Sequence, residues 1–230
     1  MASANGPKTV RGGGYGLKDT SYFAMAREDY VAALPDSEEA SILEVGCSNG
    51  ATGALALEQR KCVRYCGVEL FEGPAAAARE RLTEVVQGDV EEIELPWPPE
   101  SFDALILSEV LEHLRDPWAV LARLRDLLRP GALVFASTPN VAHREIILML
   151  LRGRWELRSY GALDATHLRW FTPSSLRAAF EAAGYVVDSV GPLGPLGPGS
   201  RIVDRALRGH ARHLWHRQID LRAHVPEPAS

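Results

Sequence analysis

A glycine turn followed by an acidic strand end is the part of the sequence best suited to binding a nucleotide. The apolar run 42–45 leads into Gly46, and a second strand-like run ends at Glu69, 23 residues further on. Glycine lets the backbone approach a ligand closely, and a carboxylate about 20 residues later can bind a ribose hydroxyl. The spacing therefore predicts a nucleotide site where two parallel strands end.

The charge around this turn narrows the choice of nucleotide. Glu44, Glu69 and Asp89 lie at the ends of three predicted strands. Three carboxylates would repel a pyrophosphate, but they suit a cofactor that has a cationic sulfonium and no phosphate. The chain also lacks the Gly-x-Gly-x-x-Gly and Gly-Lys-Ser/Thr phosphate-binding motifs. The prediction is S-adenosylmethionine, and an NAD-dependent enzyme is disfavoured.

Strands and helices alternate along the chain, which predicts a parallel sheet with helices on both faces. We expect strands near 41–46, 63–69, 84–88, 102–108 and 132–138, and helices near 20–33, 50–60, 73–82, 117–129 and 173–183. Pro130-Gly131 is predicted to end the fourth of these helices. Apolar residues alternate with polar ones over 218–225, which predicts a last strand that pairs with 185–190 as an edge hairpin.

Composition excludes several classes of protein. The chain has 230 residues and a net charge of −5, whereas a dedicated nucleic-acid binder is normally basic. Three cysteines make no disulfide framework, which favours a reducing, cytoplasmic setting. Neither a membrane-spanning run nor a signal sequence is evident, so we expect no membrane insertion.

Five motifs in order carry a family resemblance: Leu-Glu-Val-Gly-Cys-Ser-Asn-Gly from residue 43, Gly-Val-Glu from 67, Gly-Asp-Val from 88, Ser-Glu-Val-Leu-Glu-His-Leu from 108 and Leu-Arg-Pro-Gly-Ala from 128. Over about residues 40–190 the chain resembles class I S-adenosylmethionine-dependent methyltransferases. The resemblance implies an α/β fold with a Rossmann-like, seven-stranded, mostly parallel sheet, helices on both faces and a C-terminal antiparallel strand.

The resemblance also assigns cofactor residues and a domain plan. The implied cofactor-binding residues are Glu44, Gly46, Ser48, Gly50, Glu69, Leu70, Asp89, Val90 and Ser108. Residues 1–35 are expected to form a flexible segment and a helix that covers the cofactor. Residues 36–230 are expected to form the methyltransferase domain, with a lid insertion at about 141–171.

The second half of the chain indicates the acceptor. Its Thr-Pro-Asn, Leu-Arg-Gly-Arg-Trp and Asp-Ala-Thr-His-Leu-Arg-Trp-Phe motifs resemble a methyltransferase branch found with glycosyltransferases and natural-product clusters. That resemblance implies O-methylation of a hydroxyl-rich small molecule such as a saccharide. The aromatic residues Trp155, Tyr160 and Trp170 are candidates for an acceptor wall beside arginines such as Arg154. The alternative is a non-catalytic auxiliary protein like the methionine-biosynthesis W (MetW) proteins.

Methyl transfer to oxygen needs a group that removes the hydroxyl proton. His113 and His167 are the candidate bases because imidazole titrates near neutrality. Alternatively, Glu109, Glu112, His113 and His167 resemble the metal-binding set of small-RNA 2′-O-methyltransferases. That resemblance implies a divalent metal such as Mg²⁺ that lowers the pKa of an acceptor hydroxyl.

The segment 201–217 is rich in arginine and histidine. A solvated surface helix is the simpler interpretation, and a basic patch for a phosphorylated substrate or anionic carrier is the alternative.

Overall fold

A computed structural model of the chain describes residues 26–194, 205 and 211–228. Within these ranges seven strands form one sheet in the order β3-β2-β1-β4-β5-β7-β6. The strands are β1 (Ser41–Val45), β2 (Arg64–Glu69), β3 (Glu84–Gln87), β4 (Phe102–Ser108), β5 (Leu128–Pro139), β6 (Val186–Pro192) and β7 (Gln218–His224). The helices are α1 (Glu28–Ala33), α2 (Ala51–Glu58), α3 (Glu72–Arg79), α4 (Pro117–Arg125), α5 (Arg144–Leu150) and α6 (Pro173–Ala182).

The strand directions are those that the sequence predicts. Strands β1 to β5 run parallel to one another, and β7 is antiparallel to both β5 and β6. The predicted hairpin therefore exists, with β6 on the edge and β7 inside the sheet. The α/β, Rossmann-like, seven-stranded architecture is confirmed.

Helices cover both faces of the sheet. Alternate residues of a strand point to opposite sides, so strands β1 to β5 contribute side chains to both cores. Leu43 and Val45 of β1 belong to the core on the face of α4 and α6, and Ile42 belongs to the core on the face of α1, α2 and α3. Parallel strands buried on both faces end at a common edge, and a ligand site is expected there.

The predicted end of the fourth helix is wrong. Helix α4 begins at Pro117 after the cap residue Asp116, whose side chain accepts a hydrogen bond from the Ala119 N–H, but the helix ends at Arg125. Strand β5 already begins at Leu128, which pairs with Phe102. Pro130-Gly131 therefore lies inside a strand, where the register shifts, and does not stop a helix.

Two other predicted elements extend beyond the described residues. Only the C-terminal part of the predicted helix 20–33 is described, as α1. The basic segment 201–217 is described only at residue 205 and over 211–217, where Arg212–Leu214 form a short 3-10 helix. None of the helices in the described ranges has the length and apolar character needed to cross a membrane.

Candidate active site

The turn after β1 brings the backbone to the edge of the sheet where the strands end. Gly46 has a φ of +74°, and a side chain there would place its Cβ 2.6 Å from Val110 Cγ2. Only glycine meets both demands without strain. Ser48 also has a positive φ, +50°, and Gly50 follows at +78° as the N-cap of α2. The turn thus has three residues with positive φ, and it is held in place by α2 and by the end of β2.

Glu69, the last residue of β2, holds this loop in place. One carboxylate oxygen accepts a hydrogen bond from the Ser48 N–H at 2.9 Å, and the other accepts one from the Phe71 N–H at 3.0 Å. Burial raises the pKa of Glu69, and the backbone N–H groups partly offset that rise. Each oxygen keeps a second lone pair, so the carboxylate can still accept a hydrogen bond from a ligand hydroxyl.

Glu44 lies deeper, within β1. Its carboxyl group accepts a 2.8 Å hydrogen bond from the Tyr65 hydroxyl. Burial raises the pKa of Glu44 to about 7, although the Tyr65 hydrogen bond opposes the rise. Near neutral pH this group is therefore close to half protonated.

These residues line one cleft of about 1280 Å³ at the carboxyl ends of the strands. Eight of the nine cofactor residues that the resemblance implies lie on its wall: Glu44, Gly46, Ser48, Glu69, Leu70, Asp89, Val90 and Ser108. The ninth, Gly50, starts α2 behind the loop. The structure therefore brings the predicted set together in a space that is large enough for a nucleoside ligand.

Arg27 lies in the N-terminal segment that the sequence predicts to cover the cofactor, and it lines the cleft. It is the only arginine or lysine on the described wall of the cleft. Its guanidinium donates hydrogen bonds to the hydroxyls of Ser108 and Ser137, and it lies 3.6 Å from the centre of the Tyr30 ring. Burial alone would lower the pKa of Arg27, but the hydrogen bond to Asp29 and the charge interactions with Tyr30 and Asp29 together outweigh it, so the pKa is above its usual value. A permanent cation thus stands at the ends of β4 and β5.

The two predicted catalytic histidines are neighbours. The rings of His113 and His167 are 4.7 Å apart, edge to face. Glu112 joins them, and one ligand atom from each of the three residues lies within 4.8 Å of the others. The carbonyl of Glu112 also accepts hydrogen bonds from the backbone N–H groups of Leu168 and Arg169. This contact holds the chain around His167 against the 3-10 turn that carries His113.

Glu109, the fourth residue of the predicted metal set, lies outside this cluster. Its carboxylate accepts a 3.2 Å hydrogen bond from Gln218 in β7. Glu109 has a positive φ of +55°, and burial raises its pKa against the effect of hydrogen bonds from Ser137 and Gln218. The structure thus assembles three of the four predicted ligands and directs the fourth toward β7.

Comparison with known proteins identifies the family at this point. A family model described as a methyltransferase domain matches residues 20–190, most of the chain. The chain belongs to the methyltransferase domain family.

Relatives and solved structures agree with this assignment. The ubiquinone biosynthesis O-methyltransferase of Aeromonas salmonicida is 28% identical over 64% of this chain and 63% of its own length, so the chain spans less than two thirds of that relative. A methyltransferase structure from Archaeoglobus fulgidus has a TM-score of 0.65 and 17% identity, over 89% of this chain and 96% of that one. One from Mesorhizobium loti has a TM-score of 0.62 and 20% identity, over 87% and 98%. Both structures are described as S-adenosylmethionine-dependent, and at these identities they show the fold.

Other residues of the methyltransferase cleft differ in character from the cofactor set. The cleft is also lined by Glu109, Val110, His113, Leu114, Leu193 and Gln218. The predicted aromatic wall is not among the lining residues: Trp155 and Trp170 pack edge to face with ring centres 5.6 Å apart. An acceptor that reaches these residues would meet aliphatic side chains, one imidazole, one amide and the Glu109 carboxyl group.

Proposed function

We propose that this methyltransferase domain transfers the methyl group of S-adenosylmethionine to a hydroxyl of a small-molecule acceptor. One observation carries the proposal most. Glu69 ends β2 with its carboxylate held by two loop N–H groups beside the Gly46 turn, in a cleft that Glu44 and Asp89 make acidic. This arrangement suits a ribose and a sulfonium and disfavours a pyrophosphate.

Different residues of the cleft would bind different parts of the cofactor. Glu69 would accept hydrogen bonds from the ribose hydroxyls, and Asp89 and Val90 would flank the adenine with Leu70. The carboxylate of the methionine part needs a cation, and Arg27 is the only arginine or lysine that the described wall offers. Since Arg27 contacts Ser108, the methionine part would then lie near the end of β4.

The reaction needs a base in addition to alignment. The acceptor oxygen attacks the methyl carbon, the carbon–sulfur bond breaks, and sulfur keeps the electron pair as the cofactor becomes S-adenosylhomocysteine. The hydroxyl proton must also leave, and a base, for which His113 is our candidate, has to accept it. His113 lines the cleft and His167 packs against its ring, so we assign His113 as the group nearest to the acceptor and His167 as its partner.

The acceptor is assigned only as a hydroxyl compound. The Aeromonas relative is named a ubiquinone biosynthesis O-methyltransferase, which supports oxygen as the atom that is methylated. This name gives no support to the saccharide or natural-product acceptor that the sequence predicted, nor to the MetW-like alternative. The saccharide therefore stays a prediction, and hydroxylated aromatic rings join it as acceptors to be screened.

Calorimetry tests the cofactor assignment directly. We expect S-adenosylmethionine and S-adenosylhomocysteine to bind, and Glu69→Ala to weaken binding about 10- to 100-fold because cofactor hydroxyls lose their acceptor. Glu72→Ala is the matched control, since Glu72 is an exposed acid of α3 that pairs with Arg79 outside the cleft. Tight NAD binding with no response to either sulfur cofactor would contradict the proposal.

Turnover with candidate hydroxyl acceptors then separates an enzyme from an auxiliary protein. A transferase forms S-adenosylhomocysteine only when a true acceptor is present. A chain that binds the cofactor yet consumes none with saccharide, aromatic or thiol acceptors would favour the auxiliary alternative.

A metal-assisted reaction is the second candidate, and the cluster of Glu112, His113 and His167 favours it. Two imidazoles and one carboxylate suit a transition metal better than Mg²⁺, which prefers oxygen ligands. A divalent ion held there would lower the pKa of an acceptor hydroxyl. Exhaustive chelation should then abolish turnover and leave cofactor binding intact, with recovery on adding Mn²⁺ or Zn²⁺. Full activity after chelation would leave His113 as a plain base.

A further inference from the structure

Residues 151–160, the projecting segment, are exposed without exception. The segment follows α5 and reads Leu-Arg-Gly-Arg-Trp-Glu-Leu-Arg-Ser-Tyr. Its large apolar side chains face solvent: Leu151 is 78% exposed, Tyr160 71% and Leu157 52%. Apolar side chains that are grouped on a surface, in contrast to single ones, indicate a contact with another body.

The projecting segment is held in a defined shape. The Arg154 N–H bonds to the Met149 carbonyl at 3.1 Å, and the Arg158 N–H bonds to the Leu163 carbonyl at 2.7 Å. The chain then returns to the body, where Leu163 is buried. The exposed side chains are therefore presented on an ordered loop.

The charge of the projecting segment is opposite to that of the whole chain. Arg152, Arg154 and Arg158 stand against Glu156 alone, a net charge of +2 in a chain of net charge −5. Glu156 is bound to Arg154, which leaves Arg152 and Arg158 to set the sign of the surface. A partner that is complementary to this segment has a negatively charged surface above an apolar layer.

The combination of leucine, tryptophan, tyrosine and arginine on one exposed loop fits the boundary between lipid headgroups and acyl chains. Aromatic side chains with one polar end settle at that level, leucines enter the acyl boundary, and arginines bind anionic headgroups. We propose that the projecting segment docks this protein on an anionic lipid bilayer. The contact is peripheral and spans nothing, and it is independent of the proposed reaction.

Docking here has a consequence for the cleft. Residues 166–169, a few positions after the projecting segment, contact the 3-10 turn that carries His113 on the cleft wall. Only a short stretch of chain joins the lipid contact to the acceptor side of the cleft. If the acceptor resides in or on a bilayer, docking would bring the acceptor side of the cleft close to that bilayer.

Vesicle sedimentation tests the proposal with the full chain. We expect binding to phosphatidylcholine vesicles that contain phosphatidylglycerol to be at least about tenfold tighter than to pure phosphatidylcholine, and to weaken as salt is added. The double variant Leu151→Ser with Leu157→Ser should lose about tenfold or more of this binding because the apolar contact is gone. Arg152→Gln with Arg158→Gln should lose the preference for the anionic lipid.

Two matched controls exclude general effects of surface substitution. Val63→Ser removes an exposed apolar residue elsewhere, and Arg60→Gln removes an exposed arginine, so both should bind vesicles like the unchanged chain. Affinity for S-adenosylhomocysteine should be equal in all variants, which shows that each is folded. Failure of the unchanged chain to bind anionic vesicles, or equal loss in the controls, would overturn the proposal. So would a dimer that the leucine variants dissociate, since a second copy would then be the partner.

Discussion

The cofactor cleft and the projecting segment treat their polar and apolar groups in opposite ways. In the cleft, the acidic groups of Glu44 and Glu69 are buried and accept hydrogen bonds from the Tyr65 hydroxyl and the Ser48 N–H. The backbone of the turn beside these two residues has positive φ angles. In the projecting segment, leucine and tyrosine side chains face solvent. The fold itself supplies hydrogen bonds to the buried acids of the cleft, whereas nothing in the fold covers the exposed apolar side chains of the projecting segment, which therefore indicate an external partner.

His167 belongs to the insertion segment in sequence and packs in space against His113 on the cleft wall, so it gives the largest test of this comparison. We expect His167→Ala to lower kcat by about 10²–10⁴, since it removes the partner of the imidazole nearest to the acceptor. His143→Ala is the matched control, because His143 is a buried histidine of the same segment that caps α5 by accepting the Glu145 N–H. Losing that cap should cost about 1 kcal/mol of stability without a comparable loss of kcat.

Steady-state rates with an identified acceptor measure both variants. An equal loss of kcat in the two variants would mean that His167 serves only to hold the segment in place. His113 would then be the one histidine left with a proposed catalytic role.

Glu44 tests the buried side of the comparison through pH. Its pKa is about 7 in the folded chain against a usual value of 4.5. A raised pKa means that the folded state holds a proton that the unfolded state has lost. The stabilising contribution is therefore complete below about pH 4.5 and disappears as the pH rises through about 7. Over this range Glu44 should reduce the free energy of unfolding by about 3 kcal/mol.

Glu44→Gln isolates this effect, since the amide keeps an oxygen that can accept from Tyr65 but cannot ionise. The stability of the variant relative to the unchanged chain should rise between about pH 5 and pH 8 by up to about 3 kcal/mol, measured by denaturant unfolding. Parallel curves at all pH values would show that Glu44 ionises normally and that its site is wetter than the structure indicates.

The parts of this molecule that the sequence predicted are those whose signals are local. The strands follow from runs of apolar residues, and the Gly46 turn and Glu69 follow from a fixed spacing along the chain. Arg27 was predicted only as part of the N-terminal segment that covers the cofactor, and its contact with Ser108 depends on tertiary packing. Gln218 was missed because it reaches the cleft only through tertiary packing, from 109 positions beyond the Glu109 that it contacts. No local pattern around Gln218 marks it as a cleft residue.

The orientation of the insertion segment was beyond the sequence for a different reason. The aromatic residues Trp155, Tyr160 and Trp170 predicted an acceptor wall over the crevice, because aromatic faces beside arginines suit a hydroxyl-rich ring. Whether such a run faces a cleft or the solvent depends on where the chain leaves β5 and returns at α6. The error at the end of α4 has a similar cause. Leu128 is buried and pairs with Phe102, so β5 begins before Pro130 and the helix ends earlier than the Pro130 signal predicted.

The smallest expected effect concerns the stability of the projecting segment. Leu151→Ala should change the free energy of unfolding by less than about 0.5 kcal/mol, because a side chain that is already exposed loses almost no burial when it is shortened. The same substitution at Leu105, a fully buried residue of β4, should cost about 2–5 kcal/mol, since it leaves a cavity between the sheet and helices α4 and α6. Denaturant unfolding in the absence of lipid measures both. A cost above about 1 kcal/mol at Leu151 would show that this side chain packs against the body of the protein, and the projecting segment would then lose its most exposed large apolar side chain as a contact for a bilayer.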